Sequence, residues 1–387
     1  MTAAHEGLLS ARQKDVLIRA AGVGLLALAG GCYFAPARAL GCLLVANFFF
    51  VSISLGALVF IAAQNISSAG WSVVFRRVPE AMTGYLPVGA ACSAVLLVSA
   101  RILYPWAAPN AAAALGTKAA YLNVWSAAMR AAVYWAVWLF FARRLVSLSR
   151  GQDSSGAVAA TGRAKALSVG FLLCFGVTFT LGSVDWLMSL EPKWDTTIYP
   201  WYVFAGAFEA ALAAIVVLVV ALRRRGFLTE VNEHHLHDLG KYLFAFSAFW
   251  AYLWFSQFLL IWYSNLPEET TFFARRLSGV WGWLFWLQPV VNFAIPFALL
   301  LPASRKRRTG FLLSAAALLL MGHWLDLYIL VMPPVLGSKP AFGLLEPLVF
   351  AGLAAAFLLL FDRAFRGARP VPARDPYLEE SVHFQGV

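Results

Sequence analysis

Apolar residues run along this chain in blocks of about 20 to 25, long enough to cross a bilayer as helices, separated by short polar or basic stretches. The clearest block lies within DLGKYLFAFSAFWAYLWFSQFLLIWYSNLPEE (Asp238–Glu269), where Lys241 to Ser264 carries no charge after its first residue. At 1.5 Å per residue it covers a hydrocarbon core of ~30 Å. On a helix, Ser247, Trp250, Trp254, Gln257 and Ile261 share one narrow face. Four of these five can hydrogen-bond, so the face is expected to look at protein or water and not at lipid. Asn265-Leu266-Pro267 and the Glu268-Glu269 pair mark the exit.

The same reading gives ten spans, near 16–35, 39–63, 82–106, 121–141, 166–190, 199–222, 241–264, 278–301, 310–332 and 341–361. The fold class expected is therefore all-α integral membrane, one polytopic domain over residues 1–366 with a polar tail at 367–387. That tail (GARPVPARDPYLEE and onward) reads as extended and free to dock on a partner. The longest connection, Arg143 to Lys165 with its GQDSSG, reads as a flexible loop. The stretch Trp71–Glu80 is mildly amphipathic and is expected on the membrane surface. The first run resembles a secretory signal, but it is too long for one and another span follows at once, so it is read as a span.

Charge orients the spans. Arg12 and Lys14, Arg76 and Arg77, Arg143 to Lys165, Arg223 to Arg225, Arg305 to Arg308 and Arg363 to Arg374 fall on one side. The other side holds little beyond Arg38, Lys118, Lys193, Arg275, Arg276 and Lys339. The positive-inside rule then puts both termini in the cytoplasm. With 61% hydrophobic and 13% charged residues, the net charge of +11 is a topology signal and not a nucleic-acid footprint. Several tryptophans, among them Trp106, Trp186, Trp201 and Trp262, stand near span ends, as an interfacial belt requires.

The candidate chemistry is limited. Cys32, Cys42, Cys92 and Cys174 sit in apolar runs and form no CxxC or CxxCH, which excludes covalent c-type haem and reads as packing. One histidine, His323, lies inside a span, too few for a b-type haem, and no GxxxxGK[ST] is present. In Glu233-His234-His235-Leu236-His237-Asp238, metal binding is the minor reading and Asp238 as a helix cap the plainer one.

Ionisable residues inside spans carry most of the functional information, because each is costly unless it faces protein or water. Asp185 belongs to a stripe with Cys174, Thr178, Gly182 and Ser189, and Glu209 sits mid-span among Ala205, Gly206 and Ala213. Gln288, Asn292 and Pro296 form a row beside Pro289, where missing backbone donors should free carbonyls at membrane depth. His323 and Asp326 share a face at i,i+3, and Glu346 enters the last span. Asp185, Gln257, His323, Asp326 and Glu346 fall in the outer half, with Glu209 and Arg130 near the midplane. That gradient suits a proton path open to the outside and ending midway. The plainer alternative is a set of buried pairs fixing helix register, for example Arg130 with Glu209.

Three stretches go beyond periodicity: YLNVWSAAMRAAVYWAVWLFFARRL (Tyr121–Leu145), DWLMSLEPKWDTTIYPWYVFAG (Asp185–Gly206) and HDLGKYLFAFSAFWAYLWFSQFLLIWYSNLPEET (His237–Thr270). Together they resemble the F subunit of bacterial alternative complex III, an NrfD/PsrC-like membrane protein of a quinol:electron-acceptor oxidoreductase. The resemblance implies two four-helix bundles, spans two to five and six to nine, with the first and last spans peripheral. It implies no cofactor in this chain, with c-type haems and iron–sulfur clusters in other subunits. It also implies a quinol-binding C-type membrane subunit, an iron–sulfur subunit and a multihaem cytochrome c subunit as partners, with a terminal oxidase as a further neighbour. The expected function is a non-catalytic subunit of that complex with a proton half-channel. The alternatives are a stand-alone proton-coupled secondary transporter and a purely structural anchor.

Overall fold

Among the described residues, ten helices are long and apolar enough to cross a membrane: α1 (Ala11–Phe34), α2 (Pro36–Ile66), α3 (Arg77–Val98), α4 (Val124–Ser155), α5 (Val158–Leu190), α6 (Tyr199–Arg224), α7 (Glu233–Ser264), α8 (Gly279–Leu300), α9 (Thr309–Leu336) and α10 (Leu345–Arg366). The computed structural model describes residues 7–337 and 340–386, so Lys339 lies outside the described residues. Among the described residues there is no strand, and the protein is a multi-pass, all-α membrane protein.

Helices α2 to α5 form one four-helix bundle and α6 to α9 a second, and α1 packs with α10 at the periphery. The bundles meet along α2, which lies against α6 and α9. Every residue of α2 from Ala39 to Ala62 is buried, which explains a sequence that is apolar all round. Close approach there depends on small residues: a Cβ on Gly56 would stand 2.5 Å from the Cβ of Ala211 on α6.

The loops sort into two ends. At the basic end, Lys14 meets Asp362 at 3.2 Å, Arg77 pairs with Glu80 and Asp153, and Arg76 pairs with Asp375. At the opposite end, Arg38 meets Glu346, Lys118 meets Asp195, and Arg275 and Arg276 share Glu191.

Four expectations are corrected here. The Arg143–Lys165 connection is not a loop: α4 runs on to Ser155 and α5 starts at Val158, with Gly156 (φ 63°) supplying the left-handed turn. Trp71–Glu80 is not a surface segment, since Gly70–Phe75 and the start of α3 are buried. The tail is not free. Asp375 pairs with Arg76, the Ser381 hydroxyl donates to the Trp71 carbonyl, and Phe384 packs its ring against Trp71 and His235. Asp238 does not cap α7; Asn232 does, with its side chain accepting from the His234 and His235 amides while His235 Nδ1 accepts from the Asn232 amide.

Helix α1 is mostly exposed, and besides the Lys14–Asp362 pair it is held by a backbone-to-backbone crossing in which a Cβ on Gly352 would stand 2.8 Å from the Cα of Gly24. No side chain is available there to yield. Gly352→Leu is expected to separate α1 from α10 while both stay inserted. In a cysteine-free background, cross-linking between cysteines at positions 31 and 345 should then fall roughly tenfold. An unchanged yield would show that the crossing contributes nothing.

Candidate functional site

The second bundle is built around an interruption in α8. Pro289 and Pro296 remove two backbone donors, and between them residues Val290–Ala294 widen into a π turn. The carbonyl left without its partner by Pro296 is that of Asn292, four residues earlier. Ser247 on α7 donates its hydroxyl to that carbonyl at 2.6 Å. The carbonyl freed at membrane depth, expected from the two prolines, is thus taken by the polar face of α7. All five residues of that face, Ser247, Trp250, Trp254, Gln257 and Ile261, are buried.

Asp326 on α9 is the focus of the bundle, 2% exposed. Tyr202 of α6 donates its hydroxyl to Oδ1, Gln288 of α8 donates Nε2–H to the same oxygen at 2.7 Å, and Trp250 of α7 donates Nε1–H to Oδ2 at 3.3 Å. Each of the other three helices of the bundle therefore sends one donor to this carboxylate, which as an ion only accepts. Trp254 extends the network by donating to Gln288 Oε1 at 3.3 Å.

Towards the opposite end, a cavity of about 10 Å³ lies against Tyr202, Trp254, Gln257, Gln288 and Arg276. It has room for about one water molecule, and Gln257 Oε1, buried there, has no partner in the protein. Arg276 forms its outer wall. Its guanidinium is 1% exposed, donates to the Ile329 and Leu330 carbonyls at 3.0 and 2.9 Å, and forms an ion pair with Glu191 at 2.7 Å. Those two carbonyls lie four residues before Pro333 and Pro334, so the prolines of α9 leave them open and the arginine fork fills them.

Towards the basic end, His323 and Asp326 converge on Gly206, where a Cβ would stand 3.2 Å from His323 Nδ1 and 3.5 Å from Asp326 Oδ2. His323 Nε2 lies 2.9 Å from the Ser52 hydroxyl of α2, which itself donates to the Phe49 carbonyl at 2.8 Å. With that proton committed, Ser52 accepts from Nε2–H, and Nδ1 is left as an acceptor without a partner. One turn further, Glu209 is 2% exposed, and its Oε1 has no donor. Asn292 Nδ2 is likewise unpartnered, its side chain pressed against Gly322. The polar series stops there. The residues one turn on along each helix, Ala213, Leu243, Pro296 and Leu319, are buried and apolar.

Three candidate residues lie outside this series. Asp185 is held by Arg130 through two contacts of 2.8 and 2.9 Å and by the Tyr134 hydroxyl at 2.9 Å, which clamps α4 to α5 in the first bundle. Arg130 is therefore not at the midplane and does not pair with Glu209. It stands two turns into α4 near the opposite end, with its guanidinium 3.7 Å from the centre of the Tyr121 ring. Glu346 is likewise paired, with Arg38 at 2.7 and 2.9 Å and the Gly343 amide at 3.0 Å. Of the stripe on α5, Cys174 is exposed.

The structure thus brings Gln257, Gln288, Asn292, His323, Asp326 and Glu209 into one bundle interior and leaves Asp185, Arg130 and Glu346 in two ion pairs. Tyr202, Arg276 and Ser52 are the residues that sequence reasoning missed. Tyr202 was legible, since Tyr202, Gly206 and Glu209 recur on one face at i, i+4, i+7. No protein-family model matches this chain, and no curated protein matches it.

Proposed function

We propose that this chain is a multi-pass subunit, without redox cofactors of its own, of a quinol:electron-acceptor oxidoreductase of the alternative complex III type. On this reading its second bundle is a proton half-channel. The observation that carries the proton part is the asymmetry of the polar series. It runs from the Arg276–Glu191 pair through Gln257 and Asp326 to His323 and Glu209, then meets an apolar floor. Buried pairs that merely fix register satisfy one another, as Arg130 and Asp185 do. Here Glu209 Oε1, His323 Nδ1, Asn292 Nδ2 and Gln257 Oε1 are buried without protein partners. In a native interior such groups call for an explanation, and water or a moving proton supplies one.

The complex part rests on the resemblance of the Tyr121–Leu145, Asp185–Gly206 and His237–Thr270 stretches. Its expected partners are a quinol-binding membrane subunit, an iron–sulfur subunit and a multihaem cytochrome c subunit. With the positive-inside rule, the basic end faces the bacterial cytoplasm and the half-channel opens outward. Mild-detergent purification of the tagged chain from its native membrane tests this. Co-isolation of haem and iron–sulfur subunits in fixed ratio is expected. A monodisperse single chain that binds a transported solute would overturn the complex and favour a transporter.

A further inference from the structure

The first bundle carries a groove of about 620 Å³ at the basic end, between α3, α4 and α10. Its walls change character along their length. Pro87, Leu139 and Ala142 line it towards the membrane interior, and Arg143, Val146, Ser147 and Arg150 line it towards the basic end. From Val124 to Arg143 is ~29 Å of helix, the thickness of a hydrocarbon core. The arginines therefore stand where headgroups lie, with the apolar wall at acyl-chain depth.

The charges there are unequally used. Glu80, which also lines the groove, is buried and bound at 2.6 Å by Arg77, and Arg77 also takes Asp153. Arg150 donates to the Ala364 carbonyl at 2.9 Å, while its Nε is buried without a partner. Arg143 is exposed and has no carboxylate partner among the described residues. Arg77 thus binds both local carboxylates, Glu80 through Oε2, and Arg143 and Arg150 remain on the groove without a carboxylate of their own.

From this geometry we infer that the groove is a binding site for one anionic phospholipid. The phosphodiester lies between Arg143 and Arg150, and an acyl chain runs along Pro87, Leu139 and Ala142. Basic pockets between spans are matched to such headgroups, because guanidinium forks bind phosphate oxygens in the interface. A free phosphate would use the arginines and leave the apolar wall bare. The inference requires only that the helices span a bilayer and does not depend on the proton reading.

Native mass spectrometry of the full chain in neutral detergent, titrated with phosphatidylglycerol, phosphatidylcholine or inorganic phosphate, tests it. Retention of one phosphatidylglycerol is expected, about tenfold tighter than phosphatidylcholine, with no competition from inorganic phosphate at equal concentration. Arg143→Glu leaves the internal hydrogen bonds intact and should weaken phosphatidylglycerol by about tenfold or more. Ser147→Trp, which fills the groove, should weaken both lipids. Equal retention of the two lipids, an unaffected Arg143→Glu variant, or displacement by inorganic phosphate would each overturn the site.

Discussion

Arg276→Ala is expected to destabilise the protein by about 3–5 kcal/mol, because it strips a buried charge from its partner and reopens carbonyls that nothing else can reach. The guanidinium meets Glu191 at 2.7 Å and takes the carbonyls of Phe272, Ile329 and Leu330, with its plane 3.4 Å from the centre of the Phe272 ring. Removing it leaves the Ile329 and Leu330 carbonyls without a donor and Glu191 with the half-exposed Arg275 as its remaining cation. Arg276→Lys should recover only part of the loss, since an ammonium keeps the charge but not the fork that spans two consecutive carbonyls. The adjacent Arg275 is the control. It also meets Glu191, at 3.2 Å, but its side chain is 44% exposed, and Arg275→Ala should cost no more than about 1 kcal/mol. Denaturant unfolding of the purified variants measures all three. Equal effects of the two alanine variants would mean that the proline-freed carbonyls are not what Arg276 holds.

The contrast between these neighbours also shows where sequence reading stops. Both count equally as basic residues of a connection, and hydropathy treats them alike. What separates them is Pro333-Pro334, more than fifty residues away, and no local period connects the two. The same limit explains Arg130. Its span was bounded by apolar composition at Phe141, whereas α4 continues through charged residues to Ser155, so a residue read as central lies near one end. Its partner Asp185 is on the next helix, and only packing reveals the pair. The buried face of α7 was legible because four hydrogen-bonding side chains at helical spacing have no place in lipid. The row in α8 was legible for a related reason. Proline states which carbonyl loses its donor, though not that Ser247 will supply another. The tail defeated composition altogether. Its prolines and charges suit an extended chain, yet Ser381, Phe384 and Asp375 each find a docking contact on Trp71, His235 or Arg76.

On the proposed function, the largest functional effect is expected from Glu209→Gln and Asp326→Asn, measured in the assembled complex. Glu209→Gln preserves shape, and Glu209 Oε1 has no donor to lose, so stability should stay within about 1 kcal/mol of the parent. The variant nevertheless lacks the acid at which the polar series ends, and the membrane potential coupled to quinol oxidation should fall about tenfold or more. Asp326→Asn differs in kind. It sets an amide against the Tyr202 hydroxyl and the Gln288 amide, so at least one donor–acceptor match is lost. It should lower the potential as strongly and cost a further 1–3 kcal/mol or so of stability. Asp185→Asn separates structure from transport. It weakens the clamp between α4 and α5 in the other bundle, so it should lower the unfolding midpoint and leave the potential per quinol oxidised unchanged. If Glu209→Gln and Asp326→Asn both retained quinol oxidation and its potential, the half-channel would be ruled out. If Asp185→Asn lost the potential as fully as they did, the path would have to be redrawn through the first bundle.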